Sequence, residues 1–572
     1  GSLSLLDLWQ RIQAGTATRD LMSQTLNYYD GEAFTGLSLG ALGDFGALVR
    51  TEALVLTEEI LASVYRSGED VLEPPELPPY LVPGAAPDWS DEYPQLFRER
   101  LASLAGYTFF SGDADHTRGY FVTTARQQYD FHSSSNSQGR GLLQITRDPL
   151  GRDTAITYDE FDLFPISVTD AIGLTTEAVY DYRVMQPEQV MDPNGNRQAF
   201  QFTPLGLLAS TAVIGKVDEG VGDTLAVPGT RLIYDFLAFE EREQPVSVHT
   251  IQREYHVNDP AIEPPEPDST IESREYSDGF GRLLQTRTQA EEIVFGSLPF
   301  GGDVGLPADQ SVAVGDAVGQ MLAPEELLRV VVSGWQTYDN KGRVVEKYEP
   351  FYGAGWAFLA PVEADMGQRA TMFYDPRGQV IRTVNPDGSE QRVIYGVPTD
   401  LADPSAFTAT PWEAYTYDAN DLASVSTGRL PDGTPVTLGD QAPALHHFTP
   451  ASAVVDALGR TVIAVERNGS DPATEWYVTR TRYDIRGNVL TVTDALGREA
   501  FRYGYDLANN PLRTDSIDAG LKRTVLDAMG NELERRDSKG ALMLQAYDML
   551  NRPTHHWGRD AQDADLGLRQ RL

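Results

Sequence analysis

Few residues of this chain are of a type and spacing that could do chemistry. Gly36-Leu37-Ser38-Leu39-Gly40 fits Gly-x-Ser-x-Gly, the nucleophile elbow that exposes a serine hydroxyl for acyl transfer. Asp113, Asp115 and His116 gather groups able to hold a metal or pass a proton, as do the adjacent His555 and His556. Asp560, Asp563, Asp565 and Gly567 form a further acidic cluster near the end of the sequence. Gly279-Phe280-Gly281 and Gly353-Ala354-Gly355 have the glycine spacing of a phosphate cradle, and Asn468-Gly469-Ser470 fits the glycosylation acceptor pattern.

Such residues work only when elements position them, and here the flanking sequence does not. An elbow needs a strand before it and a helix after it. After Gly40 the chain runs Ala41-Leu42-Gly43-Asp44-Phe45-Gly46, too rich in glycine for a helix. Neither histidine cluster has His-Glu-x-x-His spacing, and the aspartates do not keep the EF-hand order. No Walker Lys-Ser/Thr comes after either glycine pair. The expectation is therefore no catalytic residue, no cofactor and no metal. Ser38 reads as part of a turn, the Asp and His clusters as solvated loops, and the paired glycines as turn glycines.

Composition narrows the class further. Across 572 residues, 41% are hydrophobic and 23% charged, which is enough apolar material for a large core and argues against wholesale disorder. Four globular domains or one long repeat array both fit this length. No apolar run approaches the ~18 residues of a membrane helix, so membrane insertion is not expected. With 46 basic against 84 acidic residues the net charge is −38, which repels phosphate backbones and makes nucleic acid an improbable partner. There is no cysteine, which excludes disulfides, thiolate zinc sites and thiol catalysis. The chain opens Gly1-Ser2-Leu3-Ser4 without a basic n-region, so no secretory signal is read, and a longer natural product is expected.

A repeat organises most of the sequence. Asp148, Asp170 and Asp192 are 22 residues apart, and Gly151, Gly173 and Gly195 keep the same spacing. Tyr158, Tyr180 and Phe202 complete three units in register. Towards the C-terminus, Tyr483-Asp484, Tyr505-Asp506, Leu526-Asp527 and Tyr547-Asp548 succeed one another at 21 or 22 residues, with Asp494 to Gly497 and Asp537 to Gly540 between them. Further copies begin at Tyr338-Asp339, Tyr374-Asp375, Tyr417-Asp418 and Asp456. Asp opens a type I turn by accepting from backbone amides just after it, and Gly three residues on tolerates a left-handed conformation. Runs such as Val489-Leu490-Thr491-Val492-Thr493 read as strands. In Phe501-Arg502-Tyr503-Gly504-Tyr505 the aromatics share one face. Each unit is thus two strands and two turns, and evenly spaced aspartates suit turns rather than a catalytic pair.

Other regions depart from the repeat. Residues 1–118 read as an irregular, partly helical segment, with helices at Thr57 to Tyr65 and Glu92 to Leu104 and a Pro-rich linker from Glu73 to Pro87. Residues 119–572 read as the repeat region, with insertions near 296–328 and 396–413 and an acidic loop from Pro260 to Pro267.

Tyr483-Asp484-Ile485-Arg486-Gly487-Asn488 and Asp494-Ala495-Leu496-Gly497-Arg498 resemble Rhs (YD) repeats. Asp148-Pro149-Leu150-Gly151-Arg152, Asp192-Pro193-Asn194-Gly195-Asn196-Arg197, Tyr276-Ser277-Asp278-Gly279-Phe280-Gly281-Arg282, Ser333-Gly334-Trp335, Tyr348-Glu349-Pro350-Phe351 and Phe373-Tyr374-Asp375-Pro376 come in an order that narrows the likeness. Over about residues 20 to 560 the order resembles the repeat-bearing half of the B component of bacterial insecticidal toxin complexes. The resemblance implies an all-β fold, a spiralling antiparallel β-sheet shell with a minor partly helical N-terminal region. It implies a secreted, non-enzymatic wall around a toxic cargo. A C component with like repeats is the implied partner, and upstream parts would engage a pore-forming A component. The rival from another class is an extracellular carbohydrate-binding or adhesion protein built from YD repeats, with a glycosidase as a weaker third. Aromatics packed between strands or facing an interior favour the wall; aromatics clustered on an outer groove with Asn or Asp favour glycan binding.

Overall fold

The computed structural model describes residues 4–16, 21–65, 77–84, 86–133, 139–261, 269–290, 293–294, 320–321, 328–358, 368–422, 428–429, 435–436 and 447–572. Its contacts divide the chain into two compact units. One comprises Gly1–Glu177, Ala453–Val465 and Tyr477–Leu572; the other comprises Ala178–Ser452 and Glu466–Trp476. Among the described residues strands dominate both, in two 17-stranded sheets and two isolated two-stranded pairs, so the expected all-β class holds. Nearly all pairings join strands consecutive in the chain, and they are antiparallel, as in Val489–Thr493 against Glu499–Tyr505.

The turns take the form the repeat predicts. At Asp148 the Gly151 amide donates to the Asp148 carbonyl (3.0 Å) and the Asp148 amide donates to the Arg152 carbonyl (2.9 Å). The same pair of bonds recurs at Asp170, Asp192, Asp375, Asp456, Asp494 and Asp527. This is a type I turn closed by a bulge, which sets the twist of the hairpin. It needs a left-handed fourth residue: φ is 85° at Gly173 and 76° at Gly497. No atom lies within 4 Å of where a Cβ would stand at either glycine, so a side chain there strains only the backbone. Gly173→Val and Gly497→Val are each expected to cost about 1 kcal/mol or more. Unchanged thermal midpoints in both would refute the turn assignment. Gly106, with φ 86°, faces the Leu150 and Ala528 side chains as well, so Gly106→Val should cost more than either.

Residues 1–118 share a compact unit with 119–177 and the C-terminal strands. The segment is partly helical as expected, at Leu5–Gln13, Glu58–Tyr65 and Gln95–Arg100, but it also carries the strands Thr25–Tyr29, Leu48–Leu56 and Thr108–Phe110. The helix expected from Glu92 to Leu104 is shorter. Beyond Arg100 the chain turns through Leu104 and Ala105 at positive φ, where the Ala105 carbonyl accepts from the Ala528 amide at 2.9 Å.

The Pro-rich stretch is not a free linker where it is described. Pro79–Leu81 is a short 3-10 helix, and Tyr80 and Leu81 are buried in the core. Residues 66–76, on the N-terminal side of that stretch, lie outside the described residues. Within residues 396–413 a hairpin is extended: Gly396, Val397 and Pro398 pair with Ala409, Thr408 and Phe407. Most of 296–328, and 262–268 within the Pro260 to Pro267 loop, lie outside the described residues.

Candidate functional site: the turn staple and the docked N-terminal segment

No strand leads into Gly36 to Gly40 and no helix leads out, so Ser38 sits among turns. His116 lies in a loop but is not solvated. Its ring stacks on Phe110 with centroids 3.7 Å apart. Its Nε2 lies 3.0 Å from Glu52 and its Nδ1 3.2 Å from Asp113. Glu52 is shared with Arg50 and with the Tyr28 hydroxyl, and burial followed by the Glu52 charge pushes Tyr28 up to about 12. The group fastens the loop at 111–118 to strands Thr25–Tyr29 and Leu48–Leu56. His555 and His556 are in the strand Pro553–Arg559 rather than a loop, where His555 and Trp557, two positions apart, share the buried face. Asp560, Asp563 and Asp565 fall in the loop after it. Among the described residues no three acidic or histidine side chains converge as metal ligands.

Unit after unit, the structure does bring together Asp, Arg and Tyr. At many of the turns the Arg or Asn just past the turn glycine closes the turn onto its own aspartate, as at Asp192, Asp278, Asp339, Asp456, Asp494 and Asp527. Arg460 Nη2 lies 2.6 Å from Asp456 Oδ2, and Asn531 Nδ2 donates to Asp527 Oδ2 at 2.9 Å. The arginine then reaches the neighbouring turn. Arg460 Nη1 donates to the Asp484 carbonyl at 2.7 Å, while its guanidinium lies 4.8 Å over the Tyr483 ring. Arg343 covers Tyr374 at 4.6 Å, and Arg282 covers Tyr338 at 4.8 Å. The tyrosine hydroxyl completes the link by donating to the carbonyl two residues past the previous turn glycine. Tyr374 donates to Val344, Tyr338 to Leu283, Tyr547 to Glu532 and Tyr234 to Leu208. The sequence displays this recurring Arg/Asn, yet spacing alone assigns it no role, since its partner lies in the next unit.

Arg460→Ala is expected to cost about 1–3 kcal/mol, since a charge-assisted bond and a cation–π contact are lost together. Arg460→Lys should restore less than half, because an ammonium lacks the planar fork. Equal stability of the lysine variant and the parent in chemical denaturation would remove the staple from the account.

The staple also fixes an acid response. Backbone amide bonds first, then the arginines, hold Asp339 and Asp375 below the usual carboxylate range. At Asp192 and Asp494 the Asn196 and Arg498 side chains lead. A folded pKa below the unfolded value gives stability that is present above about pH 4 and lost as pH falls through the folded pKa. Asp506 and Asp527 are shifted up by burial, so their contribution is present at low pH and lost as pH rises through the folded value. The lowered group is the larger, so the thermal midpoint should fall between pH 4.5 and roughly pH 3. A flat midpoint over that range would contradict it.

The second arrangement docks the N-terminal segment on the C-terminal strands within the first unit. Glu534 is 3% exposed and accepts from the hydroxyls of Tyr80 and Tyr93, both at 2.9 Å, and from Arg536 Nε at 2.5 Å. Burial and the Glu534 charge push both tyrosines up and keep them protonated. Glu92 lies 3.0 Å from Arg536 and 2.7 Å from Arg559; burial opposes its ionisation, but the two guanidiniums outweigh it and its pKa falls. The Tyr65 hydroxyl donates to the Thr524 carbonyl and that of Tyr107 to the carbonyls of Leu526 and Asp527. Leu61, Val64, Tyr80, Leu81, Phe97 and Tyr120 meet Leu512, Val525, Leu533, Leu542, Leu544 and Trp557 in one core.

These features define a class: antiparallel repeat sheets with stapled turns, carrying a docked N-terminal segment on one of the two units. Solved structures of Tc toxin complexes have this fold. One is the TcdB2–TccC3 crystal structure, 20% identical, TM-score 0.68, matched over 97% of this chain and 25% of that one. Another is a mutant Tc holotoxin pore from Photorhabdus luminescens, 19% identical, TM-score 0.69, over 97% and 27%. A third is TcdB2–TccC3–Cdc42, 18% identical, TM-score 0.67, over 97% and 27%. The chain thus spans about a quarter of the length of the solved chains it matches. No protein-family model and no curated protein matches the sequence.

Proposed function

We propose that this chain is a wall segment of a toxin-complex shell, the part of a B component that encloses and helps deliver a toxic cargo, with no catalysis of its own. The observation that carries the reading is the shared fold over 97% of the chain with TcdB2–TccC3 and the holotoxin pore. The YD tyrosines add support. Their rings lie under arginines and their hydroxyls are engaged by neighbouring strands, which suits wall building and leaves them unfit as a glycan groove. The partner is a C component with like repeats, and a pore-forming A component is engaged through other parts of the complex. The site of action is extracellular after secretion. Among the described residues no helix is long and apolar enough to cross a membrane.

Co-expression tests the partner. The chain is produced alone and with a C component of the same complex, and the products are sized by light scattering. A stoichiometric complex that survives purification is expected. A chain that stays monomeric in the mixture would sink the reading.

A further inference from the structure

The structure assigns an oxyanion-binding site to His555, Arg100 and Arg571, at the edge of the docked helix in the first unit. His555 has 8% of its surface exposed. Its ring stacks on Trp557, with centroids 5.5 Å apart and 15° between planes. Trp557 in turn meets Phe97 of the helix Gln95–Arg100 edge-on at 6.3 Å. His555 stands directly opposite Arg571 in the pairing of Pro553–Arg559 with Gly567–Arg571. Arg100 ends the helix, and its Nη1 donates to Thr554 Oγ1 at 3.0 Å. Two arginines, one on the docked helix and one on the neighbouring strand, therefore flank a buried imidazole at one end of one strand.

Three features fit this cluster to a negative ligand. His555 Nδ1 is buried and has no hydrogen-bond partner. Leaving a buried polar atom unpaired is unfavourable, so the ring nitrogen is poised for an acceptor or donor from outside. The neighbouring charges are otherwise answered. Arg536 and Arg559 share Glu92, Arg569 pairs with Asp560, and Glu99 accepts from Gln95. Among the described residues no carboxylate pairs with Arg100 or Arg571, although acidic residues outnumber basic ones 84 to 46. Finally, burial and then the charges of Arg100 and Arg571 push the His555 pKa down, so the empty site disfavours the charged ring. The strand Leu542–Tyr547 on the other side of His555 brings no charge.

A carboxylate or a phosphate-like oxyanion between the two guanidiniums reverses this balance, since the guanidinium fork matches both. With the anion present, Nδ1–H becomes a donor and protonation of the ring is favoured. Binding then takes up a proton, and by linkage protonation tightens binding. The site ties the docked helix to the last described strand, so an anion held there fastens the two together.

The test uses the full chain with histidines labelled on the ring, His555 being assigned by the signal lost in His555→Gln. Sodium sulfate serves as the phosphate-like probe because its charge is fixed, and sodium acetate as the carboxylate probe. With a bound anion the His555 pKa is expected to rise by about one unit, and binding to tighten up to about tenfold from pH 7.5 to pH 5.5. A response to sulfate alone marks a phosphate-like ligand, and a response to acetate marks a side-chain carboxylate; either supports the site. Arg571→Gln and Arg100→Gln, both exposed, should weaken binding at least about tenfold with the thermal midpoint kept. His555→Phe keeps the stack on Trp557 and should remove the pH dependence. An unmoved His555 signal with both anions, or unchanged affinity in both arginine variants, would overturn the proposal.

Discussion

Replacing Glu534 by Ala is expected to cost about 3–5 kcal/mol, the usual effect of removing one partner from a buried charged pair. The carboxylate receives the Tyr80 and Tyr93 hydroxyls and Arg536 Nε together. Its removal takes the acceptor from two buried tyrosine hydroxyls and leaves Arg536 with Glu92 and the Tyr93 hydroxyl oxygen. The loss should appear in chemical denaturation and as faster proteolysis of residues 77–107. Glu534→Gln keeps an acceptor and should lose less. A change under about 1 kcal/mol in the alanine variant would mean that the docked segment is held by packing alone.

Phe97→Ala is expected to cost about 3–5 kcal/mol as a cavity in the core. Phe97 is 1% exposed and lies within 6.3 Å, centroid to centroid, of Tyr80, Tyr93 and Trp557. Those two tyrosines are the ones Glu534 holds. The two substitutions should therefore be less than additive when combined, because each already loosens the same segment. Strict additivity in denaturation of the double variant would show that hydroxyl network and aromatic cluster act separately.

The repeat turns are legible in the sequence because their chemistry is local. Asp and Gly in one four-residue window specify a type I turn with a left-handed fourth residue, and the same window recurs. Asp494 to Gly497 shows it as plainly in sequence as in structure. The helix at Glu58–Tyr65 is legible for a like reason, its apolar positions falling on one face. The staple is only half legible: Arg460 is visible after Gly459, but its partner Tyr483 belongs to the next unit. The docking of residues 77–107 is not legible at all. Tyr80 and Glu534 are 454 positions apart, and nothing near Tyr80 announces a buried carboxylate. Prolines around Tyr80 read as a linker, whereas they fix a short turn that presents Tyr80 and Leu81 to the core. His555 and His556 read as loop because two adjacent histidines suggest polarity, while on a strand they face opposite ways.

The central claim is that this chain walls off a cargo, and protease protection tests it most directly. The chain is co-expressed with a C component carrying its cargo domain, the complex is purified, and a broad-specificity protease is added under native conditions. The account predicts that the cargo survives in the complex for as long as the wall does and is digested at once when the complex is opened by denaturant. Digestion of the cargo at the same rate in the intact complex as in the free state would contradict it.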